Sequence, residues 1–251
     1  RLRKARFAAC FDEKKAAAYP EAEEIFHRAG ENFEEVYTFL SKDENPNRKK
    51  LLFSLALKDA KDLKASVLED HLDCEQGDLP EEIFRKDLLC PRIFLEELTP
   101  YRSMIREFFE EETKHSFAEQ PERILDYLKK NITFHAEEEY DTIMATPVGV
   151  LTMKQGSPLA QKILFVAICR SLNVAARLNP VTLEPEYYRD GEFHSVETEA
   201  AVLKEETESA VLTLNAEDGS AWKYYQTWTI GKWNGTVFET LNYEETAFNG
   251  K

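Results

Sequence analysis

The sequence predicts an α+β fold, in which a helical N-terminal region precedes a core made of a central buried helix packed on an antiparallel sheet. Three observations lead to this prediction. Residues 1 to about 135 have the apolar spacing of helices, a fully apolar helix follows, and the later residues have the composition of strands. Helices followed by hairpin-linked strands are typical of the α+β class.

The helices of the N-terminal region are predicted from apolar spacing and from the positions of glycine and proline. Residues 21–40 carry apolar side chains at helical spacing, and Gly30 divides this stretch into two helices. Residues 48–72 form a second helical stretch. Asp78 is the predicted N-cap of the next helix, and Pro121 begins the last helix of the region.

The central helix is predicted over residues 159–172. Its residues 163–169 are all apolar, so every face of two helical turns is apolar, and a helix of this kind is buried on all sides. Ser157 is the predicted N-cap and Pro158 the first helical residue. Asn173 stands where a left-handed residue would end the helix.

The segments on either side of the central helix have different patterns. Residues 136–158 are predicted to cross the front of the core as an irregular segment, since residues 146–150 show no helical or alternating pattern. After Arg177 the sequence becomes rich in β-branched and aromatic residues. Three hairpin turns are predicted there: Asp190-Gly191, Asp218-Gly219 and Asn234-Gly235.

Charge and hydropathy exclude two classes of partner. The net charge of −15 argues against a nucleic-acid surface and against binding to anionic membranes. No apolar run is long enough to span a bilayer, so we predict a soluble protein with no membrane partner. The sequence also shows no cofactor motif, and we predict no cofactor.

Four cysteines lie far apart in the sequence, with no Cys-x-x-Cys and no zinc-type spacing: Cys10, Cys74, Cys90 and Cys169. They favour reduced thiols and a reducing, cytoplasmic compartment. His71 has acids and a cysteine nearby, but further ligands are lacking, so no metal site is predicted. On a helix, His71 would pair with Glu75 four residues later.

The chain begins with Arg1 rather than methionine, and we expect a piece of a longer protein that contacts further domains. We divide it into a helical region at residues 1–120 and a core at residues 121–251.

The end of the central helix carries a motif. Its residues, in the order R-x-L-x-V-x-A-R, are Arg170, Leu172, Val174, Ala176 and Arg177. This resembles the R-x-L-G-I-P-A-R of the transglutaminase-like superfamily, which has a papain-like fold. In that family a catalytic cysteine opens the helix nineteen positions before the final arginine, and here that position is Pro158.

Three other segments resemble a bacterial subgroup of the same superfamily that has a helical N-terminal region. They are residues 58–72, 91–102 and 147–150, with the patterns K-D-x-x-D…H-L, P-R-I…E…L-x-P-Y-R and P-x-G-V. The resemblance therefore covers most of the chain.

The resemblance implies a Cys–His–Asp site, and the sequence lacks two of its members. Where the family has H-A-W we find Glu186-Tyr187-Tyr188, and the only histidine after Arg177 is His194. Ser157 and His194 are the remaining catalytic candidates. However, Ser157 is more simply a helix cap, and His194 an exposed strand residue.

Two functions follow from these observations. The first is a catalytically degenerate transglutaminase-like domain, a pseudoenzyme that binds a peptide or glycan or acts as a scaffold. The alternative is an active amide-bond hydrolase or acyltransferase with a non-standard nucleophile. Candidate ligand-binding residues are Glu186, Tyr187 and Trp228, the last from an aromatic cluster suited to stacking. Arg170 and Arg177 are predicted to be structural.

Overall fold

The computed structural model describes residues 10–134, 145–196, 228–233 and 238–240. The chain forms two compact units, residues 1–203 and residues 204–251. The first unit holds the helices and a three-stranded sheet, and the second holds a two-stranded sheet. Helices and antiparallel strands together confirm the α+β class.

The helical N-terminal region begins the first unit. Its α-helices are α1 (Glu13–Ala16), α2 (Glu23–Ala29), α3 (Phe33–Ser41), α4 (Asn47–Leu52), α5 (Ala65–His71) and α6 (Glu81–Ile83). Short 3-10 segments lie at Pro20–Ala22, Gly30–Asn32 and Leu57–Lys61, and a π-helical segment covers Phe84–Leu89. The predicted division at Gly30 is confirmed.

Two predictions in this region are wrong. Residues 48–72 do not form one helical stretch, because the chain turns after α4 and sends the Asp59 carboxylate inward to an ion pair with Arg92. A periodic pattern cannot reveal such a distant partner. Asp78 is not an N-cap either, since α6 begins after Pro80 and has no side-chain cap.

The rest of the first unit surrounds one helix. Its helices are α7 (Tyr101–Phe108), α8 (Glu111–Glu119), α9 (Glu122–Asn131), α10 (Pro147–Met153) and α11 (Pro158–Ser171). Its strands are β1 (Ala176–Leu178), β2 (Pro185–Arg189) and β3 (Glu192–Ser195), and the second unit holds β4 (Gly231–Trp233) and β5 (Phe238–Thr240). No described helix is long and apolar enough to cross a membrane.

Helix α11 is the predicted central helix. Residues 163–171 are all buried, and α7, α9, α10, β1 and β2 pack against the helix. Asn173 follows with φ 62°, the left-handed conformation expected where the helix ends. The helix has no polar face because it is covered on every side. The prediction of a central buried helix is confirmed.

Two hydrophobic clusters divide the apolar interior. One is built mainly from α1 to α5 and the π-helical segment. The other is centred on α11 and extends from Tyr101 to Val196. The helical N-terminal region therefore has a core of its own, while the division at residue 120 stays a prediction.

The three-stranded sheet is antiparallel with the order β1-β2-β3. Asp190 and Gly191 have φ 52° and 90°, as a two-residue hairpin turn requires, so this predicted turn is confirmed. Although the sequence has the composition of strands from directly after Arg177, β2 begins only at Pro185. Asn179 Oδ1 accepts the backbone N–H groups of Val181 and Thr182 and turns the chain there. The other two predicted turns lie outside the described residues.

Candidate functional site

The N-terminus of α11 is where the resemblance predicts a nucleophile. Ser157 Oγ accepts the backbone N–H of Ala160 at 3.2 Å, so the predicted N-cap is confirmed. Pro158 is the first helical residue and is exposed. A proline here offers neither a reactive side-chain atom nor a backbone N–H.

The backbone before the helix is held tightly. Gly156 N–H donates to Thr133 O at 3.1 Å, and Gln161 Nε2 donates to Gly156 O at 2.9 Å. A Cβ at position 156 would lie 2.8 Å from a methyl carbon of Val150, which is closer than side chains approach. The close approach of α10 therefore requires glycine immediately before the cap.

Helix α10 corrects a sequence prediction. Residues 146–150 were expected to be irregular, but Pro147–Met153 is helical. Thr146 Oγ1 accepts the N–H of Gly149 at 3.1 Å, and Pro147 occupies the first helical position. Val150 and Leu151 are buried against the core cluster. Two turns held by a cap and by packing are too short to show a helical period in sequence.

Replacing Ser157 with alanine is expected to lower the free energy of unfolding by about 1 kcal/mol, because α11 loses its side-chain cap. Ser157→Gly is the matched control, with an expected loss of only a few tenths of a kcal/mol. Urea unfolding measures both. Equal stability of the alanine variant and wild type would show that the cap contributes nothing.

His194 lies on β3 and is occupied within its own hairpin. Its Nε2 is 3.1 Å from the carbonyl oxygen of Arg189, and its ring stacks on Tyr187 with centroids 5.4 Å apart. It is half-buried rather than exposed as predicted. Among the hydrogen bonds of the described residues, none joins Ser157 to His194, and their role as a catalytic pair stays a prediction.

Glu186 and Tyr187 are both buried and bonded to neighbouring elements. The Glu186 carboxylate accepts from Arg177 Nε at 2.9 Å and from Asn179 Nδ2 at 2.6 Å. The Tyr187 hydroxyl donates to the Glu122 carboxylate at the start of α9. Burial and this bond raise the pKa of Tyr187 to about 12. These contacts join β2 to β1, to the loop at Asn179 and to α9. The ligand-binding role predicted for the two residues stays a prediction.

Trp228 belongs to the second unit and is half-buried. The other members of the predicted aromatic cluster, at positions 222, 224, 225 and 233, have side chains outside the described residues. The cluster therefore stays a prediction.

Arg170 is buried near the end of α11. Its Nη1 donates to Cys90 O at 2.7 Å and to Arg92 O at 3.0 Å, and its Nε donates to Ala176 O at 2.9 Å. The guanidinium thus joins α11 to β1 and to the loop after the π-helical segment. These bonds to three carbonyl oxygens confirm the structural role predicted for Arg170. Arg177 is structural in a different way, since it pairs with the carboxylate of Glu186.

The same loop contains a cluster of charged side chains that the sequence did not predict, in which Asp59 and Glu96 are buried and Arg92 is half-buried. Arg92 forms a two-bond ion pair with the buried Asp59. The Glu96 carboxylate accepts the backbone N–H groups of Ile93 and Phe94, both at 2.7 Å. Arg92 also donates to the carbonyl oxygen of Glu96. Asp59 lies in the motif segment at residues 58–72 and Arg92 in the motif segment at residues 91–102, and the fold brings these two segments together.

Arg102 and His71 form the second contact between these segments. Arg102 is completely buried, and its Nε donates to His71 Nδ1 at 3.1 Å. Its other nitrogens donate to Arg170 O at 2.7 Å and to Leu88 O. The expected pairing of His71 with Glu75 is therefore wrong, because α5 ends at His71 and the imidazole faces the interior.

The four cysteines are free thiols, as predicted. Burial raises the pKa of Cys90 and of Cys169, so neither is poised as a thiolate. Among the described residues, no three His, Cys, Asp or Glu side chains converge on a position that would hold a metal ion.

Comparison with known proteins identifies one family. Residues 102–222 match the family model of the transglutaminase-like superfamily, slightly less than half of the chain. The match begins at the buried Arg102 and includes α11 and the three-stranded sheet. Neither the curated proteins nor the solved structures compared with the chain contain a significant match.

Proposed function

We propose that the region at residues 102–222, which matches the family model of the transglutaminase-like superfamily, is catalytically degenerate and serves as a peptide- or glycan-binding module or a scaffold. It keeps the central helix of the family and lacks the nucleophile that the family places at its start.

The observation that carries this proposal is the exposed Pro158 at the first position of α11. A cysteine at this position would gain from the helix dipole, which stabilises a thiolate. Proline has no such group. The neighbouring Ser157 uses its oxygen to cap the helix, and a serine needs a strong adjacent base to act as a nucleophile.

The two buried cysteines do not offer a substitute nucleophile. Cys169 lies eleven residues further along the same helix and is buried on the apolar interior. Cys90 is also buried, with its Sγ directed to Ser54 O. The raised pKa of each thiol disfavours the thiolate that such chemistry uses.

The end of the matched region supports the loss of a second catalytic group. It closes on Ser220-Ala221-Trp222, which differs from the H-A-W of the family only at the histidine position. This triplet fits H-A-W better than Glu186-Tyr187-Tyr188 does. A serine in place of histidine could not accept the proton of a thiol at neutral pH.

The test of degeneracy is turnover. The wild-type chain is incubated with a glutamine-containing peptide and a fluorescent primary amine, and we expect no ammonia release and no labelled peptide. Iodoacetamide labelling provides the matched measurement, with Pro158→Cys compared with wild type. We expect the introduced thiol to react much faster than Cys90 and Cys169, which are buried.

Two outcomes would contradict this proposal. Turnover by the wild-type chain that Ser157→Ala abolishes would support the alternative function, an amide-bond hydrolase or acyltransferase with Ser157 as nucleophile and His194 as base. Turnover that survives Ser157→Ala would place the nucleophile elsewhere in the chain. If the Pro158→Cys thiol resists iodoacetamide, the N-terminus of α11 is covered, which favours the scaffold over the binding module.

Ligand binding has its own experiment. Tryptophan fluorescence is followed while the chain is titrated with the same glutamine peptide or with a chitin oligosaccharide, and Trp228→Phe is the matched variant. A saturable change that is weakened in the variant supports the binding module. No change with either probe favours the scaffold.

A further inference from the structure

The imidazole of His71 is fully buried and bonded in a way that only its neutral form allows. Nδ1 lies 3.1 Å from Arg102 Nε, which can only donate, so Nδ1 accepts. Nε2 lies 3.3 Å from Thr99 O, which can only accept, so Nε2 carries the proton. The two partners together assign the tautomer.

Arg102 extends this bond to two other elements. Its remaining nitrogens donate to Leu88 O in the π-helical segment and to Arg170 O near the end of α11. The Arg102 side chain is completely buried, and its described partners are carbonyl oxygens and His71 rather than a carboxylate. One guanidinium therefore joins α5, the π-helical segment and the core helix.

The charges that face His71 are mostly positive. Arg102 and Arg106 lie on α7, and Arg170 lies on α11. Asp70 precedes His71 on α5, and its carboxylate accepts the backbone N–H groups of Arg102 and Ser103 at 2.8 and 3.0 Å. Asp73 pairs with Arg106.

The other groups that surround the imidazole are neutral, so none of them would balance the positive charge of a protonated His71. The Tyr101 ring meets the imidazole edge-on, with centroids 4.4 Å apart. Burial raises the pKa of Cys74, which keeps that thiol neutral, and its Sγ lies 3.7 Å from His71 O. The carboxylates of Asp70 and Asp73 already bind groups on α7 rather than the imidazole. Burial and the arginines lower the pKa of His71 well below its usual 6.5.

We propose that His71 is an acid-sensitive latch between the helical N-terminal region and the core helix, held closed by its neutral imidazole and opened when Nδ1 takes a proton from solvent. A protonated Nδ1 has no lone pair for the Arg102 N–H and places a second positive charge beside the guanidinium. The Arg102 guanidinium then loses its contact with His71 and no longer joins the end of α5 to the end of α11.

Because the pKa of His71 is lowered in the closed state, the closed state becomes less stable as the pH falls. Above the unfolded value of about 6.5 the latch is fully closed, because neither the folded nor the unfolded chain protonates His71. As the pH falls below about 6.5, the unfolded or open chain takes up a proton that the closed chain does not. The equilibrium constant for opening then increases about tenfold per pH unit, down to the pKa of the closed state.

The experiment compares urea unfolding of wild type and His71→Gln between about pH 8 and about pH 5. Glutamine stays neutral and can still accept from Arg102 and donate to Thr99. We expect the wild-type unfolding constant to rise about tenfold per pH unit more steeply than that of His71→Gln below about pH 6.5. His115→Gln, at an exposed position on α8, is the control and should follow wild type. Parallel curves for wild type and His71→Gln would overturn the proposal.

A second readout needs no variant and separates a latch from global unfolding. Histidine NMR of the wild-type chain should show a His71 resonance that does not titrate near pH 6.5. Hydrogen exchange, corrected for intrinsic rates, should show α5 and the end of α11 losing protection on acidification before α2 and α3 do. An ordinary His71 titration in the closed protein, or simultaneous loss of protection everywhere, would contradict the latch.

Discussion

Replacing Arg102 with alanine is expected to lower the free energy of unfolding by about 3–5 kcal/mol, a large part of the stability of an ordinary domain. The side chain is completely buried and donates to His71, Leu88 and Arg170. The substitution leaves two buried carbonyl oxygens and an imidazole nitrogen without this donor, and also leaves a cavity. Chemical denaturation followed by circular dichroism measures the loss.

Arg123→Ala is the matched control for this prediction. Arg123 lies on α9 and donates to Ser116 Oγ at an exposed position, so its removal should change stability by less than about 0.5 kcal/mol. Arg102→Lys should recover only part of the loss, because one ammonium cannot reach three acceptors set around a planar guanidinium. Equal effects of Arg102→Ala and Arg123→Ala would mean that the buried cluster does not stabilise the fold.

The sequence predicts those parts of the fold that depend on local signals. The continuous apolar run of α11, its Ser157 cap and the left-handed Asn173 are all local, and together they define the helix to within one residue. The hairpin at Asp190-Gly191 is equally local, since two residues with positive φ specify its turn.

Features that depend on distant partners could not be predicted in this way. Asp59 and Arg92 are 33 residues apart in sequence, and Arg102 and Arg170 are 68 apart. Each of these residues stands in a motif segment or helix that the sequence does identify. The partner of each becomes known only when the fold brings the segments together. For this reason residues 48–72 were predicted as one helical stretch, and His71 was paired with Glu75.

The candidate site also combines features set by the local sequence with features set by distant partners. The cap role of Ser157 and the absence of a thiol at position 158 are local facts that the sequence contains. What His194 contacts depends on strand register, because β3 places it opposite Tyr187 in the sheet. The motif segments at residues 58–72 and 91–102 contain residue types that are common in active sites. The described contacts nevertheless explain Asp59, His71, Arg92 and Arg102 as structural partners of one another and of the backbone. Their hydrogen bonds and ion pair stabilise the junction beside the C-terminal end of α11.

Replacing Phe165 with alanine is expected to lower the free energy of unfolding by about 3–5 kcal/mol. Phe165 lies in the middle of α11 with no exposed surface, and the helix is covered by α7, α9, α10 and the sheet. Removal of the ring leaves a cavity that helices fixed on every side cannot collapse to fill. Urea unfolding should show a lower midpoint with an unchanged slope, because the extent of the folded state is preserved.

Phe108→Ala is the control that makes this prediction specific. It removes the same ring from another helix, α7, where the side chain is 46% exposed. Its expected effect is less than about 1.5 kcal/mol, since less apolar surface leaves water on folding and alanine favours the helix. If Phe165→Ala destabilises the protein no more than Phe108→Ala does, α11 is not the buried centre of the domain. The proposal that Pro158 marks a disabled catalytic helix would then lose its structural basis.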